Sequence, residues 1–96
     1  MSYDMNLGDK EFNVTYNVSE MFYKHNHEGI RYHYGKTGKE AIPLLLDMYS
    51  FFLLNKNFLE TLNPQNEWGS WESSTEVIHQ MLLASASYAD EIWEGD

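Results

Sequence analysis

Tyr3, Met5 and Leu7 alternate with Asp4 and Asn6, Gly8-Asp9 interrupts the alternation, and Phe12, Val14 and Tyr16 resume it against Asn13 and Thr15. A period of two on both sides of a glycine-containing dipeptide predicts an antiparallel β-hairpin with one apolar face. Asn17, followed three residues later by Glu20, has the spacing of a capping box and predicts a short helix over residues 18–24, with Met21 and Phe22 inward and Asn26 and Gly29 ending it. Ile30, Tyr32 and Tyr34 then alternate with Arg31 and His33. Between Gly29 and Gly35 this reads as a third strand or equally as an extended loop.

Thr37 with Glu40 repeats the box and predicts a second helix from about Gly38 to Leu54, its first turns bent by Pro43. Ten of the thirteen residues at 42–54 are apolar or aromatic, and the exceptions, Pro43, Asp47 and Ser50, share one narrow stripe. A helix apolar nearly all round needs cover on most sides, more than a small domain supplies, so part of it is expected at a homo-oligomer interface. With an Asp inside, it is too short to span a bilayer. Residues 55–71 read as a loop with one helical turn at 58–62. Ser73 with Glu76 predicts a third helix to about Asp90, burying Val77, Ile78, Met81, Leu82, Tyr88 and Ala89. The fold class expected is therefore a single α+β domain over residues 1–96, an N-terminal antiparallel hairpin packed with three helices.

At 43% hydrophobic and 16% aromatic the chain is too apolar to be disordered, while a net charge of −9 argues against duplex nucleic acid and anionic membrane as partners. Without cysteine there is no disulfide framework and no thiolate chemistry. The polar start MSYDMNLGDK holds no secretory apolar run, so a cytoplasmic setting is expected, and the NVT at Asn13 and NVS at Asn17 then carry no glycosylation meaning.

Against this acidic background, four of the six Lys and Arg and three of the four His fall within residues 24–39, opposed only by Glu28. Arg31, Tyr32, His33 and Tyr34 run into Gly35-Lys36-Thr37-Gly38, so positive charge, flat aromatic surface and the free N–H groups of a helix start are expected close together. This is a candidate anion site. Arg31, Lys36 and Lys39 would meet phosphate, Tyr32, Tyr34 or a tryptophan would stack on a base, and His33 and Thr37 would line it. The stretch GIRYHYGKT is not a nucleotide-triphosphate loop, because five residues separate Gly29 from Gly35 where that motif needs four.

Other chemistry is weaker. His25, His27 and His33 with Glu28 lack a fourth ligand at a recognisable spacing, so no metal or other cofactor is expected, and His79 reads as a boundary residue of the third helix. Gly69-Ser70-Trp71 lacks the flanking glycine of an activated serine turn. Glu60, Glu67, Glu72, Glu76, Asp90, Glu91, Glu94 and Asp96 form no singled-out catalytic pair, and no Lys or Arg follows Lys56. A non-enzymatic protein is expected, whose acidic last third could instead cover a basic patch on a partner. Trp68, Trp71 and Trp93 suit either a core plug or a stacking platform.

The words FNVTYN, GIRYHYGKTGKEAIPLL and the terminal IWEGD resemble a family of small bacteriophage and prophage proteins, with a strand ending NxTYN, a GIRxxYGxTGxExIP centre and a WxGD end. The resemblance covers most of the chain and departs at the front, where those relatives carry a longer insertion between the first two strands. It implies an accessory protein made inside an infected bacterium, in the host cytoplasm, and brings no activity with it. In that setting the residues fit host-defence evasion by sequestering an anionic, nucleotide-derived small molecule. The alternatives are an acidic protein-binding inhibitor of a host defence protein and a minor virion or assembly protein.

Overall fold

In the computed structural model, which describes all residues 1–96, the predicted hairpin is formed by β1 (Ser2–Leu7) and β2 (Lys10–Thr15). Tyr3 stands opposite Val14 and Met5 opposite Phe12, so Tyr3, Met5, Leu7 and Val14 are buried on one face while Asp4, Glu11 and Asn13 are exposed on the other. Gly8, with φ 60°, supplies the positive angle that a two-residue hairpin turn requires at its first position.

The third strand is not at residues 30–34. Gly29–His33 is a 3-10 helix, entered through Gly29 at φ 64° and held by the Arg31 N–H on the Glu28 carbonyl and the Tyr34 N–H on the Arg31 carbonyl. Three residues per turn bury Ile30 and His33 on one side, so the apolar alternation at 30, 32 and 34 did not report the buried face. The sheet is completed instead by β3 (Glu94–Gly95), antiparallel to β1, in the order β2-β1-β3. Two residues, one of them glycine, are too short to show a period.

A 3-10 turn at Tyr16–Val18 precedes α1 (Ser19–His25), which buries Met21 and Phe22. The 3-10 turn is capped by Thr15, whose hydroxyl accepts from the Asn17 N–H, and the Ser19 hydroxyl donates to the Tyr16 carbonyl; α1 itself has no side-chain cap, and Asn17 does not cap. Four helices, not three, follow the hairpin. α2 (Gly38–Leu54) carries the expected box, with the Glu40 N–H on the Thr37 hydroxyl (3.1 Å) and the Thr37 N–H on the Glu40 carboxylate (3.0 Å). The single turn expected at 58–62 is α3 (Lys56–Glu60), which starts and ends two residues earlier. α4 (Trp71–Ser87) begins three residues early, because the cap is Ser70, paired reciprocally with Ser73, and it stops short of Asp90.

Ala41, Leu45, Met48 and Phe52 of α2 pack on Ile78, Met81 and Ala84 of α4, and these two helices form the main layer beneath the sheet. Val77, Leu82 and Tyr88 are half-buried at its margin. Pro43, Asp47 and Ser50 do face solvent, joined there by Leu46, Leu53 and Leu54. The tryptophans divide: Trp93 is wholly buried, Trp71 is half-buried with its indole N–H on the Phe52 carbonyl (2.9 Å), and Trp68 is exposed. No helix is long and apolar enough to cross a membrane.

Candidate functional site

After α4 the chain turns back and runs along the start of α2. The Lys39 N–H donates to the Ala89 carbonyl (2.9 Å), the Gly38 N–H to Glu91 (2.8 Å) and the Gly35 N–H to Trp93 (2.9 Å), while the Trp93 N–H returns a bond to Lys36 (2.8 Å). Thr37 and Ile92 form a single β-bridge at the centre of this seam. Gly38 is required here by close approach: a Cβ would run into the Ser85 and Tyr88 carbonyl oxygens at the end of α4. The N–H groups that a helix start offers to an anion are thus taken by the residues 88–96 strap and by the capping box.

The seven candidate residues occupy this region without converging on one opening. Arg31 donates from Nε to the main-chain oxygen of Asp96 (2.8 Å) and lies over the Tyr3 ring at 4.8 Å. Tyr32 meets His25 edge-on. His33 is fully buried, edge-on to Trp93 at 4.7 Å and to Tyr34 at 5.2 Å, with neither ring nitrogen hydrogen-bonded. Burial drives its pKa down to about 3, the nearby Ile30 backbone opposing only weakly, so the imidazole is neutral and supplies no charge to an anion. The Tyr34 hydroxyl is also enclosed without a partner, and burial pushes it up to about 12. Thr37 is engaged as the cap, and its N–H and hydroxyl hold the Glu40 carboxyl below its ordinary range. Lys36 and Lys39 alone remain exposed and free of ion pairs.

The histidines disperse as well. His25 bonds Asp47 at 2.7 Å and Asn26 at 2.9 Å, His27 is exposed, and His79 stacks on Tyr49.

Three depressions lie elsewhere, and each of them borders β2. A shallow depression of about 320 Å³ is lined by Asp4, Asn6, Glu11 and Asn13 together with Met5 and Phe12. A second, of about 370 Å³, opens between β2 and α4 over Phe12, Val77, Leu83 and Ala84, with Glu11, Glu76 and Gln80 among its polar residues. A third, of about 200 Å³, continues from Val77 past Asn13, Val14 and Thr15 to Ser73 and Ser74. Carboxylates dominate this end of the molecule. The register places Asp4, Glu11 and Glu94 on one face of the sheet, and Asp96 accepts from the Asp4 N–H through Oδ1 (2.9 Å). Sequence reasoning passed over this surface; the alternation of Glu11 and Asn13 with Phe12 and Val14 was a visible signal of a two-sided strand, but its place at the sheet edge was not. No protein-family model, curated protein or solved structure matches the chain.

Proposed function

We propose that this chain is a non-enzymatic protein-binding module that occupies a basic surface of a partner protein through its acidic side. The observation that carries the reading is the imbalance of free charge. Of fifteen Asp and Glu, only Glu20 is ion-paired with a Lys or Arg side chain, and Asp4, Glu11, Glu94 and Asp96 all lie exposed along one sheet. A surface of one sign steers a partner of the other and fixes its orientation. The anion-sequestering alternative draws on fewer free donors, because the Nε of Arg31 and the opening N–H groups of α2 are spent on the strap, leaving Lys36, Lys39 and the terminal nitrogens of Arg31. Together with the resemblance to phage proteins, this supports an accessory role in which the partner is a host bacterial protein.

The test is capture from a bacterial lysate on immobilised protein at about 0.05 M and about 0.5 M salt, where the longer-range attraction is screened at the higher value. Basic proteins retained at low salt, lost at high salt and lost by the double variant Glu11→Lys, Glu94→Lys are the expected result. Retention indifferent to both, or tight binding of nucleotides that Lys36→Ala and Lys39→Ala abolish, would return the function to the small-ligand reading.

A further inference from the structure

β2 is an outer strand of the sheet, and its register decides which of its backbone groups are free. The Tyr16 N–H bonds the Met1 carbonyl (3.1 Å), which makes Tyr3–Val14, Met5–Phe12 and Leu7–Lys10 the hydrogen-bonded pairs of the ladder. The other side of β1 agrees, since the Asp96 N–H donates to the Asp4 carbonyl. Lys10, Phe12 and Val14 therefore turn their N–H and C=O groups to β1, and Glu11, Asn13 and Thr15 turn theirs out of the sheet.

We propose that this edge accepts an extended segment of a partner protein as an added antiparallel or parallel strand, one that alternates basic and apolar side chains. The proposal rests on the protein-binding reading and specifies how the partner is held. Side chains of an added strand share the face of the residues they stand opposite. Residues opposite Glu11 and Asn13 would lie on the acidic face with Asp4 and Glu94, which fits Lys or Arg. Residues opposite Phe12 and Val14 would point into the two depressions between β2 and α4, which meet at Val77 and together follow the strand; Phe12, Val77, Leu83 and Ala84 give that floor an apolar strip, with Lys10, Glu76, Gln80 and Ser73 at its margins. Main-chain bonds would supply affinity and the alternating pockets specificity. A second copy is the poorer occupant, because pairing β2 with itself brings Glu11 of both chains onto one face of two bodies that each carry −9.

The experiment titrates the intact protein with the acetylated peptide Arg-Val-Lys-Val-Arg-Val and with a block peptide of the same composition, Arg-Lys-Arg-Val-Val-Val, while amide hydrogen exchange is followed by NMR. The alternating peptide is expected to bind more tightly than the block peptide and to slow exchange at Glu11 and Asn13 about tenfold or more, leaving Phe12 and Val14 unchanged because their N–H groups are already in the ladder. Asn13→Pro removes an outward donor without touching a ladder bond, and Asn13→Ala controls for the side-chain bonds that both variants lose, from Asn13 Nδ2 to Ser2 Oγ (2.7 Å) and Asp4 Oδ1 (2.6 Å); relative to the alanine variant the proline is expected to cost about tenfold in affinity. Should the proline variant fold poorly, N-methylation of alternate peptide groups makes the same cut from the ligand side. Equal binding of both peptides, or unchanged exchange at Glu11 and Asn13, overturns strand addition while the acidic surface stands. If neither peptide binds below about millimolar, both readings fall. A free protein that is dimeric by light scattering with Glu11 and Asn13 already protected assigns the edge to a second copy and also overturns the proposal.

Discussion

The start of α2 and the outer edge of β2 are opposites. The first collects three of the six Lys and Arg of an acidic chain together with helix N–H groups and aromatic rings, and the fold consumes most of them: carbonyls of the strap take the N–H groups, Asp96 takes the Nε of Arg31, and His33 is buried against Trp93. The second shows no unusual composition, yet its backbone groups at Glu11 and Asn13, the Glu11 carboxylate and the groove beside Phe12 all face outward with no partner inside the chain. Density of functional residue types is therefore a poor guide to availability. A donor already bonded within the chain has no net bond left to give a ligand without first losing one.

The largest effect that sharpens this contrast is expected from Trp93→Ala. The indole is fully buried, packs on Phe12 and His33, and donates to the Ser85 hydroxyl (3.0 Å), so its loss both opens a cavity and frees the strap. Destabilisation of about 3–5 kcal/mol is expected in urea or guanidinium unfolding. A loss below about 1 kcal/mol would mean that the strap is not integral and that the α2 opening is more accessible than its hydrogen bonds indicate.

Next comes the pH dependence of His33. The folded imidazole stays neutral down to about 3, whereas in the unfolded chain it titrates near its ordinary 6.5, so between these values the unfolded state binds the extra proton. Above that window His33 leaves stability flat; as pH falls through it, stability drops by up to about 1.4 kcal/mol per unit. His33→Phe removes the titration and two buried nitrogens that have no partners. It is expected to flatten the acid limb of the stability curve with little cost at neutral pH, and an acid limb as steep as the parent's would place the titrating group elsewhere.

How much of this was legible follows from the range of the interactions concerned. The hairpin and the Thr37–Glu40 box rest on neighbours within one or two turns, and each left its mark at the right positions, whereas the inward face of α4 was legible only at Ile78 and Met81, because Ser74, Thr75, Ala84 and Ser85, which share it, are small or polar and carry no apolar signal. The 3-10 helix at Gly29–His33 imitates strand alternation because Ile30, Tyr32 and Tyr34 are all large and apolar in character, and only the partner surface reveals that Ile30 and His33 are the pair turned inward. The strap and β3 depend on contacts across more than fifty residues, from Trp93 to Gly35 and from Asp96 to Asp4, which no local period encodes. The candidate residues are neighbours in the fold but not all free groups, since what occupies the Nε of Arg31 lies sixty-five positions away.

A middling effect tests the cap itself. Thr37→Ala removes the acceptor for the Glu40 N–H and is expected to cost about 1 kcal/mol by thermal or chemical unfolding. Because the Gly38 and Lys39 N–H groups stay bonded to the strap, the variant is expected to gain no affinity for phosphate.

The smallest effect on the fold concerns the outward stripe of α2. Leu46, Leu53 and Leu54 are 50%, 49% and 85% exposed, and the acid in the same stripe, Asp47, is paired with His25 at 2.7 Å. Self-association through this stripe would bury exposed leucines beside an acid already bonded to His25, and an oligomer is expected. Leu46→Lys and Leu53→Lys are expected to leave monomer stability within about 0.5 kcal/mol, since each side chain is already half in water. Their effect is read in mass: light scattering at micromolar concentration should show an oligomer for the parent and 11.3 kDa for the double variant. A parent that already scatters as a monomer leaves the leucines as ordinary exposed surface, and it leaves β2 as the edge most open to a partner.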